Sequence, residues 1–291
     1  MAKILIIHGI ANQYLGENEL RQAWYPALCD GLALAGCADV PTIDQCFCPF
    51  YGALFRPVGH LSVGSVTDET DVEDASETEL ALLTAVWHSA TLVDPAVPQS
   101  IGHGSSLARY PRVVERLLNA LAQSSYLADY LPLRLFGDLK QVDLYINDRD
   151  IHERILTRIT DHIDSDTVLV IGHSLGSVVA YEAVCRKPES VTALITIGSP
   201  LGIRNVVFDK LTPTPNLLGS GLGKWPGRVK QWANIVARGD IVAAQKELAP
   251  LFGSKVNDEI IDSGWDAHSS TRYLNSVEAG RAVALALSGR P

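Results

Sequence analysis

Residues 167 to 187 constrain the fold of this chain more than any other stretch. Thr167 to Gly172 (Thr-Val-Leu-Val-Ile-Gly) is short, apolar and rich in β-branched residues, which suits a strand buried on both faces. Residues 175 to 187 read as a helix, with Arg186 and Lys187 in its last turn and Pro188 beyond it. Only Gly172-His173-Ser174-Leu175-Gly176 joins the two. A strand that turns at once into a helix belongs to alternating α/β architecture, where helices carry the chain between parallel strands.

The glycines of that join have a physical reading. A serine on so sharp a turn is held in a strained backbone conformation. Side chains two residues before and after it collide with neighbouring backbone, so both places are glycine. Ser177 and Ala180 then keep the helix close to the sheet. The helix N-terminus aims free N–H groups at any negative charge that develops beside Ser174.

The same alternation is read on either side. Lys3 to Ile7 is a buried strand closed by His8-Gly9. Leu20, Trp24, Leu28 and Leu32 mark one face of a helix over 18 to 35, and Gly36 stops it. A second strand is expected at 42 to 48. Ile151, Ile155, Ile159 and Ile163 line another helix. Strands follow at 191 to 197, 233 to 237 and 256 to 261, and a last helix at 270 to 287. Residues 50 to 135 break the rhythm. Seven acids and no base fall between 67 and 80 (Asp68, Glu69, Asp71, Glu73, Asp74, Glu77, Glu79), which reads as a solvated connector. Helical patterns follow near 79 to 92 and 106 to 127. The block reads as a helical cap inserted into a single domain that spans 1 to 291.

Composition narrows the function classes. The 291 residues are 47% hydrophobic and 20% charged, enough for a large core. The net charge of −9 repels phosphate backbones and argues against nucleic-acid binding. Cys29, Cys37, Cys46, Cys48 and Cys185 are odd in number and show no disulfide-scaffold or zinc spacing, so they read as reduced, packed thiols. Four apolar residues at the start are too few for a signal-peptide core, and no run reaches the roughly 18 apolar residues of a membrane span. These features lead us to expect a cytoplasmic protein without a transmembrane segment.

Gly172-His173-Ser174-Leu175-Gly176 between strand and helix resembles the nucleophile elbow of the α/β-hydrolases, the lipases and esterases above all. The resemblance covers roughly residues 1 to 49 and 136 to 291. It implies a mostly parallel central sheet with helices on both faces and Ser174 as nucleophile. His8-Gly9 is similar to the His-Gly that follows the third strand of that fold, so the first two strands of larger members are absent here. By the same resemblance, the backbone N–H groups of Ile10 and Leu175 form the oxyanion hole, with His8 structural.

A serine hydroxyl needs a base, and the base an orienting acid. The fold orders them serine, acid, histidine. One histidine follows Ser174, namely His268, in the loop before the last helix. For the acid, Arg238-Gly239-Asp240-Ile241-Val242 resembles the acid loop of lipases and points to Asp240. Asp209, Asp258, Asp262 and Asp266 compete with it. The earlier histidines His60, His88, His103, His152 and His162 read as surface or packing residues. No Gly-rich phosphate loop, dinucleotide fingerprint or His-Glu-x-x-His motif appears, so neither cofactor nor metal is expected. A small carboxylic ester or lipid-like acyl substrate is the leading expectation. An amide or thioester runs through the same triad, and a catalytically idle binding module is the rival from another class.

Overall fold

The computed structural model describes residues 2–56, 74–101, 110–127, 132–188, 190–264 and 266–289. Six strands form one sheet: β1 Lys3–Ile7, β2 Cys46–Phe47, β3 Thr167–His173, β4 Ala193–Ile197, β5 Gln231–Ala237 and β6 Val256–Ile261. Their order is β2-β1-β3-β4-β5-β6, and every pair is parallel. The expected "mostly parallel" sheet is therefore wholly parallel among the described residues. All its strands end on one edge, where an open α/β sheet places its ligands.

Strand side chains alternate between two cores, as their period of two requires. Leu5, Ile7, Val170, Leu194 and Trp232 enter one core, while Ile4, Ile6, Leu169, Ile171, Ile195 and Ile235 enter the other. The second is closed by α1 (Glu17–Leu34), α8 (Ser270–Leu274) and α9 (Val277–Ser288). The first is closed by α2 (Glu77–Val93), α3 (Tyr110–Leu121), α4 (Pro132–Asn147), α5 (Arg149–Thr160) and α6 (Leu175–Arg186), with the short α7 (Ala249–Phe252) beside them. Each fully buried leucine or isoleucine contributes about 1.5–3 kcal/mol, so both faces add substantially to stability.

Several boundaries differ from the sequence reading. The strand expected at 42 to 48 is only Cys46–Phe47. A 3₁₀ turn at Ile43–Gln45 takes the preceding residues, fixed by a capping box between Thr42 and Gln45. The last helix is two helices. Ser276 accepts a hydrogen bond from Ala279 N–H and restarts the helix there. Backbone crowding shapes the same place: a Cβ on Gly31 would lie 2.2 Å from Leu274 O, and one on Gly280 would lie 1.9 Å from Gly31 O. The close approach of α1 and α9 therefore fixes where α8 sits.

The expected block 50 to 135 ends inside α4, which runs to Asn147. Its described helices share the first core with α5 and α6, through Leu82, Leu83 and Val86 of α2 and Leu117 of α3. Residues 67 to 73 of the acidic connector and 106 to 109 of the second helical pattern lie outside the described residues. Among the described residues no helix is long and apolar enough to cross a membrane.

Candidate active site

The turn from β3 to α6 holds Ser174 at φ 54° and ψ −130°, a conformation that costs a residue with a side chain about 1–3 kcal/mol. Neighbouring glycines make it possible. A Cβ on Gly172 would lie 2.5 Å from Gly176 O and from Ser177 Cα, and one on Gly176 would lie 2.3 Å from both Ile7 O and His8 O. Ser177 Oγ donates to Ser174 O (2.6 Å) and lies 2.6 Å from Ser199 Oγ, which ties the turn to the loop after β4.

Three side chains from three strand ends then meet. His268 Nε2 lies 3.0 Å from Ser174 Oγ, and His268 Nδ1 lies 2.7 Å from Asp240 Oδ2. Asp240 is buried, and each of its oxygens accepts two donors. Oδ1 takes the N–H groups of Val242 (2.9 Å) and Ala243 (3.2 Å). Oδ2 takes His268 and the hydroxyl of Tyr273 (2.7 Å). Burial alone pushes this carboxyl up. The charge and hydrogen bond of His268, then Lys246 and Tyr273, outweigh it and bring it down to about 2. An anion at Oδ2 requires His268 to carry its proton on Nδ1 and leaves the Nε2 lone pair facing the serine hydroxyl. Asp258 instead caps α7 through Leu248 and Ala249 N–H, Asp262 accepts from Gly264 N–H, Asp266 faces Arg272, and Asp209 faces Arg204.

The loop after β1 crosses directly over the serine. A Cβ on Gly9 would lie 2.6 Å from Ser174 Cβ and 3.1 Å from its Oγ, so only glycine fits. Ala11 sits at φ 63°, and Asn12 Nδ2 holds the turn by donating to Ile10 O (2.7 Å) and Gly9 O (3.1 Å). The Ile10 N–H follows this contact by one residue. Leu175, as the first residue of α6, has a backbone N–H without an acceptor inside its helix. His8 points away: it donates from Nδ1 to Gly9 O (2.8 Å), accepts from Tyr51 N–H at Nε2 (3.1 Å), and stacks on the Tyr51 ring.

His173 was not singled out by its sequence pattern. Its Nε2 lies 2.9 Å from His268 O, and the two rings sit 4.8 Å apart. Burial, then the nearby His268 charge, pushes it down to about 3, so it stays a neutral donor that holds the His268 main chain. His8 is pushed down to about 4, by burial.

These two shifts set an acid limit on stability. Unfolded histidine titrates near 6.5, above both folded values, so the unfolded chain binds more protons as pH falls through that range. Stability is full above pH 6.5 and falls as pH drops toward 3 to 4, by on the order of 3 kcal/mol for each histidine. Asp240 adds its own loss only between about 4 and 2. Urea titrations from pH 7 to pH 4 are expected to show this slope, and His8→Gln to flatten it by nearly half. A slope unaffected by removing either histidine would contradict the assignment.

A family model described as the alpha/beta hydrolase fold matches residues 102–275, more than half of the chain. The chain belongs to the α/β-hydrolase family. No curated protein matches it. The family is generally hydrolytic, and this chain's described residues build one six-stranded parallel sheet with helices on both faces.

Within this hydrolase fold, sequence patterns missed two neighbours of the site. His173 stands inside the pentapeptide, and its position alone was the available signal. Tyr273 lies five residues beyond His268, with no signal beyond that nearness. Of the earlier histidines, His152 pairs with buried Glu182 (2.9 Å), His162 lies 2.8 Å from Arg158 O and His88 is exposed. His60 and His103 lie outside the described residues. All five cysteines are free thiols, and Cys46 and Cys48 are buried.

Proposed function

We propose that this chain is a serine hydrolase that cleaves a carboxylic ester, or a lipid-like acyl bond, through an acyl-enzyme on Ser174. The observation that carries the reading is the unbroken line from Asp240 Oδ2 through His268 to Ser174 Oγ, at 2.7 and 3.0 Å. His268 Nε2 takes the serine proton as Oγ attacks the carbonyl carbon. The carbonyl oxygen becomes an oxyanion held by the Ile10 and Leu175 N–H groups. Asp240 stabilises the imidazolium, which then protonates the departing alcohol. Water, deprotonated by His268, clears the acyl group and frees Ser174. Every step runs on the chain's own residues, with neither a metal nor an organic cofactor.

A groove of about 680 Å³ lies between α2 and the loops that follow β4 and β5. Its lining mixes Leu80, Ala81, Ile203 and Val206 with Glu77, His88, Arg204 and Gln245 and includes none of Ser174, Asp240 and His268, so the preference for an ester rests on the likeness of the elbow and acid loop to those of lipases. We read residues 50–135 as a cap over the strand ends. Tyr126 supports this, since its ring lies against Gly239, where a Cβ would come within 2.5 Å of it. The test is a fluorophosphonate probe beside a panel of nitrophenyl esters and aminoacyl amides. Labelling of Ser174 and turnover of esters are expected. An unlabelled wild-type serine sinks the serine-enzyme reading, and turnover of amides alone replaces the esterase with an amidase.

A further inference from the structure

We propose that Tyr273 is a positioning residue for the acid and base, a fourth member of the line that ends at Ser174. The proposal rests on the triad reading above. Tyr273 is fully buried on α8, and its hydroxyl sits between two fixed partners. It accepts the Ala237 N–H at 2.7 Å and donates to Asp240 Oδ2 at 2.7 Å. Because the Ala237 N–H occupies one side of the oxygen, the phenolic proton is aimed at the carboxylate. Gly198, at φ +55°, leaves the room this requires: a Cβ there would lie 3.0 Å from Tyr273 Cε2 and 2.9 Å from Asp240 Oδ2.

The consequence is electrostatic as well as geometric. Oδ2 is the oxygen that faces His268, and it shares its charge between two donors. The second donor keeps Asp240 ionised and weakens its pull on the His268 proton. The tyrosine therefore holds the carboxylate in aim and moderates the basicity of the histidine. Burial, then the Asp240 charge, pushes the phenol well above its ordinary range, so it remains a donor at working pH. The other charged or titratable groups around the pair stay in place when the hydroxyl is removed. Lys246 Nζ bonds to Ala237 O (3.4 Å) and to Asp240 O, His173 holds His268 O with His8 behind it, and Asp266 faces Arg272.

The experiment is the pH dependence of kcat/KM on a nitrophenyl ester for wild type, Tyr273→Phe and site-specific 3-fluorotyrosine at 273. Loss of the hydroxyl concentrates charge on the His268 side of Asp240, so the acid limb is expected to move up by about half to one pH unit. A kcat fall of roughly ten-fold, with KM little changed, is expected from the loosened aim. Fluorotyrosine is the stronger donor, keeps the shape, and is expected to move the limb the other way. An acid limb that stays put in the fluorotyrosine protein, or in both variants despite a lower melting temperature of the Phe form, overturns the proposal. Failure of the triad reading looks different: wild type itself then carries no phosphonate label at Ser174, and the proposal falls with it.

Discussion

Replacing Ser174 by alanine is expected to lower kcat by about 10⁴- to 10⁶-fold, the loss that follows removal of a nucleophile acting with its base as a unit. Replacing it by glycine is expected to cost as much activity and to raise thermal stability. Alanine keeps a Cβ, and hence the strain of φ 54° and ψ −130°. Glycine releases it. The strain of about 1–3 kcal/mol exceeds the 0.5–1 kcal/mol that glycine loses in chain entropy. The glycine variant is thus expected to melt a few degrees above the alanine variant, at about 2–4 °C per kcal/mol for a chain of this size. Calorimetry of both, beside ester turnover, separates chemistry from strain. An alanine variant within a hundred-fold of wild type ends the acyl-enzyme reading. A glycine variant no more stable than alanine means the elbow is relaxed.

Asp240→Asn is expected to lower kcat by about 10⁴-fold without moving the backbone. All four contacts to the carboxylate come from donors: Val242 and Ala243 N–H, Tyr273 O–H and His268 Nδ1–H. An amide has one oxygen. The two backbone N–H groups are fixed and claim it. The NH₂ then faces His268 Nδ1, which must give up its proton and act as acceptor. The imidazole's proton moves to Nε2, where the lone pair for Ser174 was needed. Ser174 loses its base although His268 is still present. Asp240→Asn that retains more than about a tenth of the activity would place the orienting acid elsewhere.

The elbow was legible because its signals are local. Strand, turn and helix occupy consecutive residues, and the collisions that demand Gly172 and Gly176 arise within that turn and with the strand beside it. His268 was reachable by elimination, and Asp240 from a motif. Neighbours that act across the chain were not legible. His173 meets His268 over 95 residues, and Tyr273 meets Asp240 over 33. No period or propensity encodes such a meeting. Helix α4 was overlooked for a different reason. Leu135, Phe136, Leu139, Val142 and Tyr145 keep a helical rhythm, but Asp138 and Gln141 are buried among them and blur the apolar stripe. Gln141 bonds to Asp138 Oδ1 (3.1 Å) and to Gln13 (3.3 Å), so these polar groups are satisfied inside. The single last helix was misread because Ser276, an ordinary helical surface residue on pattern alone, is a cap.

The position of β1 in the sheet has a consequence in time. A ribosome releases this chain from its N-terminus, yet β1 lies between β2 and β3. Among the described residues, its one strand partner for well over a hundred residues of synthesis is Cys46–Phe47, a ladder of two residue pairs. Its full pairing waits for Thr167–His173, the strand that also delivers Ser174. The sheet therefore closes around Ser174 late, through contacts far apart in sequence, which are slow to form. Asp240 and His268 emerge later still. A chain stopped before Asp240 and His268 carries Ser174 on an unfinished turn with neither side chain beside it, so the chemistry proposed for this site cannot begin until synthesis reaches α8.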